Sequence, residues 1–304
     1  MNGEMESIGV VMKRIMKNLP DTYREQMERM AALSPKERIQ KLCDSDNGIV
    51  GNLNEDDGYD CPICKNRGYI AAMAIDRNAE GVETNWREVF RECKCKKTRA
   101  ALHRLSRSGL GDLVKNCRFE NFTTEKDWQK RVKAAAMAFV KDDSHNMFFF
   151  GGSNGGGKTT LCTAIAMHYL RGGREVSYMS WKDDVAQLNA CVNEAEEYER
   201  LISRFKEVDV LYIDDFLKII KDRLGEFTRP SEGELNRAYE IINYRYRNPK
   251  FITIISSERY LQEIMEIDEA TGSRIYERTK EGYCYNVKRD PSNNYRLRGM
   301  SVIG

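Results

Sequence analysis

The chain has 304 residues, 32% charged and 41% hydrophobic, and its 49 basic and 47 acidic side chains leave a formal net charge of +2. This length gives room for roughly two domains, and so even a charge balance argues neither for nor against a nucleic-acid partner. No run approaches 18 apolar residues and no apolar signal core opens the chain, so neither a membrane span nor export is expected. Nine cysteines, four of them clustered, fit a reducing cytoplasm better than a disulfide framework.

Residues 1–55 read as helical and charged. Val10, Val11, Ile15, Met16 and Leu19 recur at helical spacing before Pro20-Asp21 interrupts. Ser34-Pro35-Lys36-Glu37 has the form of a capped helix start, with a helix running to about Leu42. One exposed apolar stripe suits a partner-docking module or a merely structural helical hairpin. Asp44 to Asp60, rich in Gly, Asp and Asn, reads as a linker.

Cys61-Pro62-Ile63-Cys64 and Cys93-Lys94-Cys95 follow. Two thiolate pairs in a short charged segment supply the four soft ligands that tetrahedral Zn²⁺ needs. A redox role for the C-P-x-C pair is the rival, but it needs no second pair and no thioredoxin-like βαβ pattern surrounds it. Between the pairs, GYIAAMAI and WREVFREC read as hairpin strands around a turn at Asn78–Gly81. The basic stretch Lys94 to Arg107 reads as a helix with a solvated face, ended by Ser108-Gly109, and beside a zinc module it is also placed to touch nucleic-acid phosphates. The five remaining cysteines, Cys43, Cys117, Cys162, Cys191 and Cys284, read as inert thiols.

Arg118-Phe119-Glu120-Asn121-Phe122 opens the next region, its two aromatics either packing near a base or anchoring the segment. Gln129–Lys141 reads as a helix. Then Phe148 to Thr160, FFFGGSNGGGKTT, reads as a buried strand, a glycine-rich loop and a helix start. Gly152, Gly157, Lys158 and Thr159 match G-x-x-x-x-G-K-[ST], the phosphate-cradling P-loop. The loop Gly152, Ser153, Asn154, Gly155, Gly156, Gly157 must turn backbone N–H groups inward, and side chains there would block the approach. Lys158 places an ammonium on the β- and γ-phosphates, and Thr159, followed by Thr160, offers a hydroxyl to Mg²⁺. ATP and Mg²⁺ are the expected ligands.

Val176–Met179 reads as a short strand and Trp181–Phe205 as one long charged helix. Val208 to Asp215 is a buried strand ending in two acids, the Walker B pattern. Asp214 is expected to hold Mg²⁺, and Asp215 to act as general base toward the attacking water. Leu217–Pro230 reads as a mobile loop, Ser231 to Tyr246 as a helix, and Phe251–Ser256 as a buried strand. A helix carrying Arg274 and Arg278 is read as beginning at Gly272, and Tyr283–Val287 as a last strand.

The order of these motifs resembles the AAA+ ATPases of the DnaC/DnaI helicase-loader and IstB type, chiefly those of Gram-positive bacteria and their phages. The P-loop, Asp214-Asp215, the strand end Ser256-Ser257-Glu258, G-S-R-I-x-E-R from Gly272 and N-Y-R from Asn294 carry the likeness. It covers about Cys61 to Arg298. It implies that Arg278 is an arginine finger acting on a neighbouring subunit's ATP, with Arg274 in reserve, and that Arg296 is sensor 2. It also implies a replicative helicase and single-stranded DNA as partners, and self-assembly through the ATPase domain. One departure stands out: loaders commonly show T-S-N where this chain has Ser256-Ser257-Glu258. Glu258 when ionised cannot donate to a phosphate, which leaves Ser257 as the candidate sensor 1.

The expected fold is α/β, a doubly wound parallel sheet in an AAA+ domain over 111–304. A zinc module with the basic helix would occupy 56–110, and a helical partner-binding region 1–55. The expected function is ATP-dependent loading of a replicative helicase onto single-stranded DNA. An IstB-like ATPase assisting a transposase is the alternative; a P-loop kinase for a small acceptor would need no second acid after the Walker B strand.

Overall fold

The computed structural model describes residues 20, 22, 29, 32–111, 113–221 and 227–297. The stripe from Val10 to Leu19 and the final Arg298 lie outside them. The described residues form two compact units, one of those up to 56 together with 60–94, the other of 57–59 together with those from 95 onward.

In the first unit, α1 (Pro35–Gly48) starts at the expected capping box. Ser34 Oγ accepts from the Glu37 N–H, and the Glu37 carboxylate accepts from the Ser34 N–H. It packs on an antiparallel hairpin, β1 (Tyr69–Arg77) and β2 (Glu83–Glu92), turned at Asn78, whose side chain takes the Glu80 and Val82 N–H groups. The segment Asp44 to Asp60 is not the linker expected. α1 continues to Gly48, and a short helix, α2 (Leu53–Asp57), follows. The polar residues that suggest a linker are instead structural partners. Asn47 bonds both the N–H and the C=O of Ala71, and the N–H of Gly51 reaches the carbonyl of Lys65.

The second unit is built on a five-stranded sheet, all parallel, in the order β4–β5–β8–β3–β9. These are β3 (Met147–Gly152), β4 (Val176–Ser180), β5 (Val210–Asp214), β8 (Ile252–Ser257) and β9 (Cys284–Val287). The three central strands are buried along their whole length, which is why they read as unbroken apolar runs, whereas edge strands β4 and β9 mix polar residues in. Alternate side chains feed opposite cores. Phe148, Phe150, Val210 and Tyr212 join one cluster, and Phe149, Leu211 and Ile213 the other. The sheet is therefore doubly wound, as expected. The P-loop helix, labelled α6 below, lies on the first face. α7 (Trp181–Ala190), α8 (Ala195–Lys206) and α9 (Glu232–Arg247) lie on the second.

Several expected elements differ. α3 (Cys95–Leu105) exposes Lys97 and His103 but buries Ala101, Leu102 and Leu105 in the first core cluster. Its basic face is solvated and its other face is core, while its first residue, Cys95, belongs to the cysteine cluster. After it come a π-helical turn at Ser106–Leu110, α4 (Leu113–Asn116) and α5 (Asp127–Phe139). The single helix Trp181–Phe205 is two helices. On one unbroken helix the Trp181–Val185–Leu188 stripe and the Ile202–Phe205 stripe would diverge by roughly 100°, and the break at Cys191 lets both face one core. The loop after β5 contains a short antiparallel pair, β6 (Ile220–Lys221) with β7 (Phe227–Thr228). Gly272 lies inside α11 (Glu269–Thr279), not at its start. Asp268 caps that helix, and a Cβ at Gly272 would sit 2.6 Å from Met265 Cγ in α10 (Leu261–Ile267).

Candidate functional site

The carboxyl ends of β3, β5 and β8 meet at one rim, the place where open α/β sheets bind ligands. β3 runs into the loop Gly152–Gly157, and α6 (Lys158–Arg171) starts at Lys158. Gly152 and Gly157 are required by the geometry. Gly152 has φ +103°, and a Cβ there would sit 2.1 Å from the Val287 carbonyl oxygen. Gly157 has φ +81°, and its Cβ would sit 2.9 Å from the Phe122 ring. Phe122 is thus a core anchor seated under the loop, which decides one of the two roles open to that aromatic. The loop is also held from outside, as the Tyr295 N–H donates to the Gly155 carbonyl and the Ser153 N–H to Val287.

Lys158 is buried and donates to the Gly152 and Ser153 carbonyls at 3.0 and 2.7 Å. Burial pulls its pKa down, and the charges of Glu258, Asp215 and Asp214 work the other way. Thr159 Oγ1 reaches Asp214 Oδ1 at 3.2 Å. Asp214 also accepts from Tyr212 OH at 2.8 Å, Tyr178 OH at 3.2 Å and the Ser256 hydroxyl. Burial first, and Asp214 second, push both phenols well above their usual range, so they remain donors. An ammonium, a hydroxyl and an oriented carboxylate at a loop before a helix N-terminus fit a nucleoside triphosphate with its divalent cation.

Asp215 follows at φ +54°, with its N–H 3.4 Å from Ser256 Oγ and its carboxylate 2.6 Å from Lys218 Nζ. Ser257, the candidate sensor 1, has its hydroxyl engaged elsewhere. Its hydroxyl is buried, donates to the Phe216 carbonyl at 2.7 Å and accepts from the Arg259 N–H.

Arg274 and Arg278 have their partners elsewhere. Arg278 donates to the Tyr246 carbonyl at 2.7 Å and stacks on the Tyr246 ring. Arg274 bonds Asn243 and the Ala270 carbonyl. Both are held along α9 within their own chain. Arg296 is exposed in a 3₁₀ turn, Tyr295–Leu297. Sequence reasoning missed Tyr178, Tyr212 and Lys218, and also Trp128, which packs by Gly156 and donates to Asn293. Tyrosines in apolar strands look like core, and only the observation that both flank the Walker B acid would have pointed to them.

In the cysteine module, the sulfurs of Cys61, Cys64, Cys93 and Cys95 all lie within 4.8 Å of one another and are buried. Cys61 and Cys93 are 3.8 Å apart, the edge length of a tetrahedron with Zn–S bonds of about 2.3 Å. Lys65 and Asn66 take left-handed backbone, the Gly68 N–H points at Cys64 sulfur, and the Asn66 side chain takes the Cys61 N–H. Such backing of the ligands is what metal sites use. The donor set fits Zn²⁺. Elemental analysis of purified protein is expected to give one zinc per chain, with these four thiols resisting alkylation until a chelator is added. A metal-free sample with freely alkylated native thiols would refute it.

Fold and site together define a P-loop nucleotide-binding protein on a parallel α/β sheet. Residues 84–272, well over half the chain, match the family described as IstB-like ATP binding protein, and the chain belongs to that family. Phage-like element PBSX protein XkdC of Bacillus subtilis (strain 168) is 30% identical over 258 residues, covering 80% of this chain and 88% of that protein. Replicative helicase loader DnaC of Buchnera aphidicola subsp. Baizongia pistaciae (strain Bp) is 29% identical over 123 residues, 39% of this chain and 50% of that one. This chain thus spans half the length of that loader. A crystal structure of the DnaC helicase loader overlaps 58% of this chain and 97% of its own, at 22% identity and a TM-score of 0.45. Among the described residues no helix is long and apolar enough to cross a membrane.

Proposed function

We propose that the protein is an AAA+ ATPase that loads a replicative helicase onto single-stranded DNA in the cytoplasm, with ATP hydrolysis timing its release. The observation that carries this is the Walker constellation itself. Thr159 and Asp214 are in contact beside Lys158, with a second acid, Asp215, one residue on and turned out of the strand. Similarity to chains named replicative helicase loader supplies the partner. Lys158 would hold the β- and γ-phosphates, Thr159 and Asp214 the Mg²⁺, and Asp215 would accept the proton of the attacking water. Arg278 from a neighbouring subunit and Arg296 from the same chain would complete the charge balance. Zn²⁺ on Cys61, Cys64, Cys93 and Cys95 would hold the cysteine module together, since so small a core rarely folds without its metal.

The helicase reading is tested by co-purification of the tagged full chain from the source cell, with ATP present. A hexameric helicase in the eluate supports it. A transposase in its place transfers the protein to the IstB-like role of assisting transposition.

A further inference from the structure

We propose that Lys218 supplies the γ-phosphate recognition that the end of β8 lacks, its ammonium exchanging the Asp215 carboxylate for a γ-phosphate oxygen. This rests on the nucleotide-site reading above and deepens it. The side chains of Ser256, Ser257 and Glu258 have no donor to spare. The Ser256 hydroxyl is committed to Asp214, the Ser257 hydroxyl to the Phe216 carbonyl, and Glu258 as a carboxylate only accepts. A donor must come from elsewhere.

Lys218 stands in the right company. Its bond to Asp215 raises its pKa, partial burial opposes this, and Asp215, Glu258 and Asp214 add to the rise through their charges. Those same three carboxylates act on Lys158, the P-loop lysine. The two ammonium groups therefore serve one acid cluster at one rim. The backbone that carries Lys218 is fixed rather than loose. Asp215 and Leu217 both take left-handed conformations, at φ +54° and +48°, which non-glycine residues adopt only where surroundings enforce it. Three bonds enforce it here. The Phe216 N–H donates to the Ser256 carbonyl at 2.9 Å, Ser257 Oγ to the Phe216 carbonyl at 2.7 Å, and the buried Arg259 Nε to the Leu217 carbonyl at 2.7 Å. The first two tie the turn to the last residues of β8 and the third to Arg259 just beyond it.

The exchange also follows from what Asp215 has to do. A carboxylate oxygen that holds an ammonium at 2.6 Å is not free to accept a proton. To take the proton of a water whose oxygen bonds to the γ-phosphorus while the bond to the bridging oxygen breaks, Asp215 must lose that partner. The ammonium keeps its proton and needs another anion, and the γ-phosphate is where negative charge arrives. One side-chain movement frees the base and neutralises the phosphate.

The test is a comparison of ATP and ADP affinity by calorimetry in wild type, Lys218→Met and Lys218→Arg, alongside steady-state turnover. Lys218→Met is expected to leave ADP affinity within about twofold, lower the preference for ATP over ADP by about tenfold and cut turnover at least as much. Lys218→Arg is expected to restore most of the preference. An unchanged ATP-to-ADP ratio in Lys218→Met would overturn the proposal. So would a rise in its turnover, since the pair would then be a lock and not a sensor. Should Lys218→Met not fold, Lys218→Gln carries the same expectations. Failure of the underlying site shows separately, as wild-type rates in Asp215→Asn or no ATP binding by the native chain.

Discussion

Lys158→Ala is expected to remove ATP binding at any nucleotide concentration a cell maintains. The ammonium sits at the start of α6 in the field of three carboxylates, Glu258, Asp215 and Asp214. That arrangement places negative charge around a site that must receive a still more negative ligand. Without Lys158 the loop loses its own cation, and the charge of the acids is offset less well against an incoming triphosphate. Loss of two charge-assisted contacts alone is worth roughly 3 kcal/mol, about a hundredfold in affinity, and the unbalanced acids add to it. Equilibrium titration with ATP and Mg²⁺ reads the effect. Affinity within a few-fold of wild type would remove Lys158 from the phosphate site. The fold should survive, because the bonds Lys158 makes to the Gly152 and Ser153 carbonyls can be replaced by water at an open rim.

Much of this was legible in the chain, and the parts that were not share a cause. Buried parallel strands show as FFFGG, VLYID and ITIIS because both faces are covered, and the P-loop shows because its backbone tolerates few side chains. The cysteine spacing showed for a similar reason, as metal chemistry admits few ligand types. Polar residues were the difficulty. Asn47 and Asp46 look like linker, but Asn47 bonds Ala71 of the hairpin and Asp46 pairs with Arg67. Arg245 looks like a charged helix end, yet it is fully buried. It donates to the Phe205, Lys206 and Val208 carbonyls at the end of α8 and to Thr253 Oγ1 in β8, and burial lowers its pKa to about 9. Ser257 has a plausible address for a phosphate sensor, but its hydroxyl is spent on the backbone. Residue type and spacing announce a role only when the chemistry allows few alternatives. A hydroxyl, amide or guanidinium has many partners to choose from, and which one it takes is settled by the tertiary fold.

Arg278→Ala is expected to keep ATP affinity nearly intact and to lose most turnover, by about a thousandfold if it acts as an arginine finger. In its own chain Arg278 is held by the Tyr246 carbonyl near the end of α9. An arginine finger held there would act on a neighbour's γ-phosphate, so turnover should then depend on assembly. The same contact makes a competing account possible, because removing it costs on the order of 1 kcal/mol of helix-end bonding and could disturb α9. Mixing separates the two. Arg278→Ala subunits have a sound P-loop and Lys158→Ala subunits have a sound arginine, so in a head-to-tail assembly some junctions combine both. Random mixing at equal amounts should restore about a quarter of wild-type turnover per subunit, with activity falling off on either side of that ratio. Turnover measured across ratios at fixed total protein, with single-stranded DNA present, gives the curve. A disturbed α9 would give no such maximum, since the subunit that must turn over ATP would itself be damaged. Rescue by Arg274→Ala in the same experiment, with none by Arg278→Ala, would move the role one helical turn along α11. No rise in either mixture, with mixed assemblies demonstrated, would mean that neither arginine works across a subunit boundary.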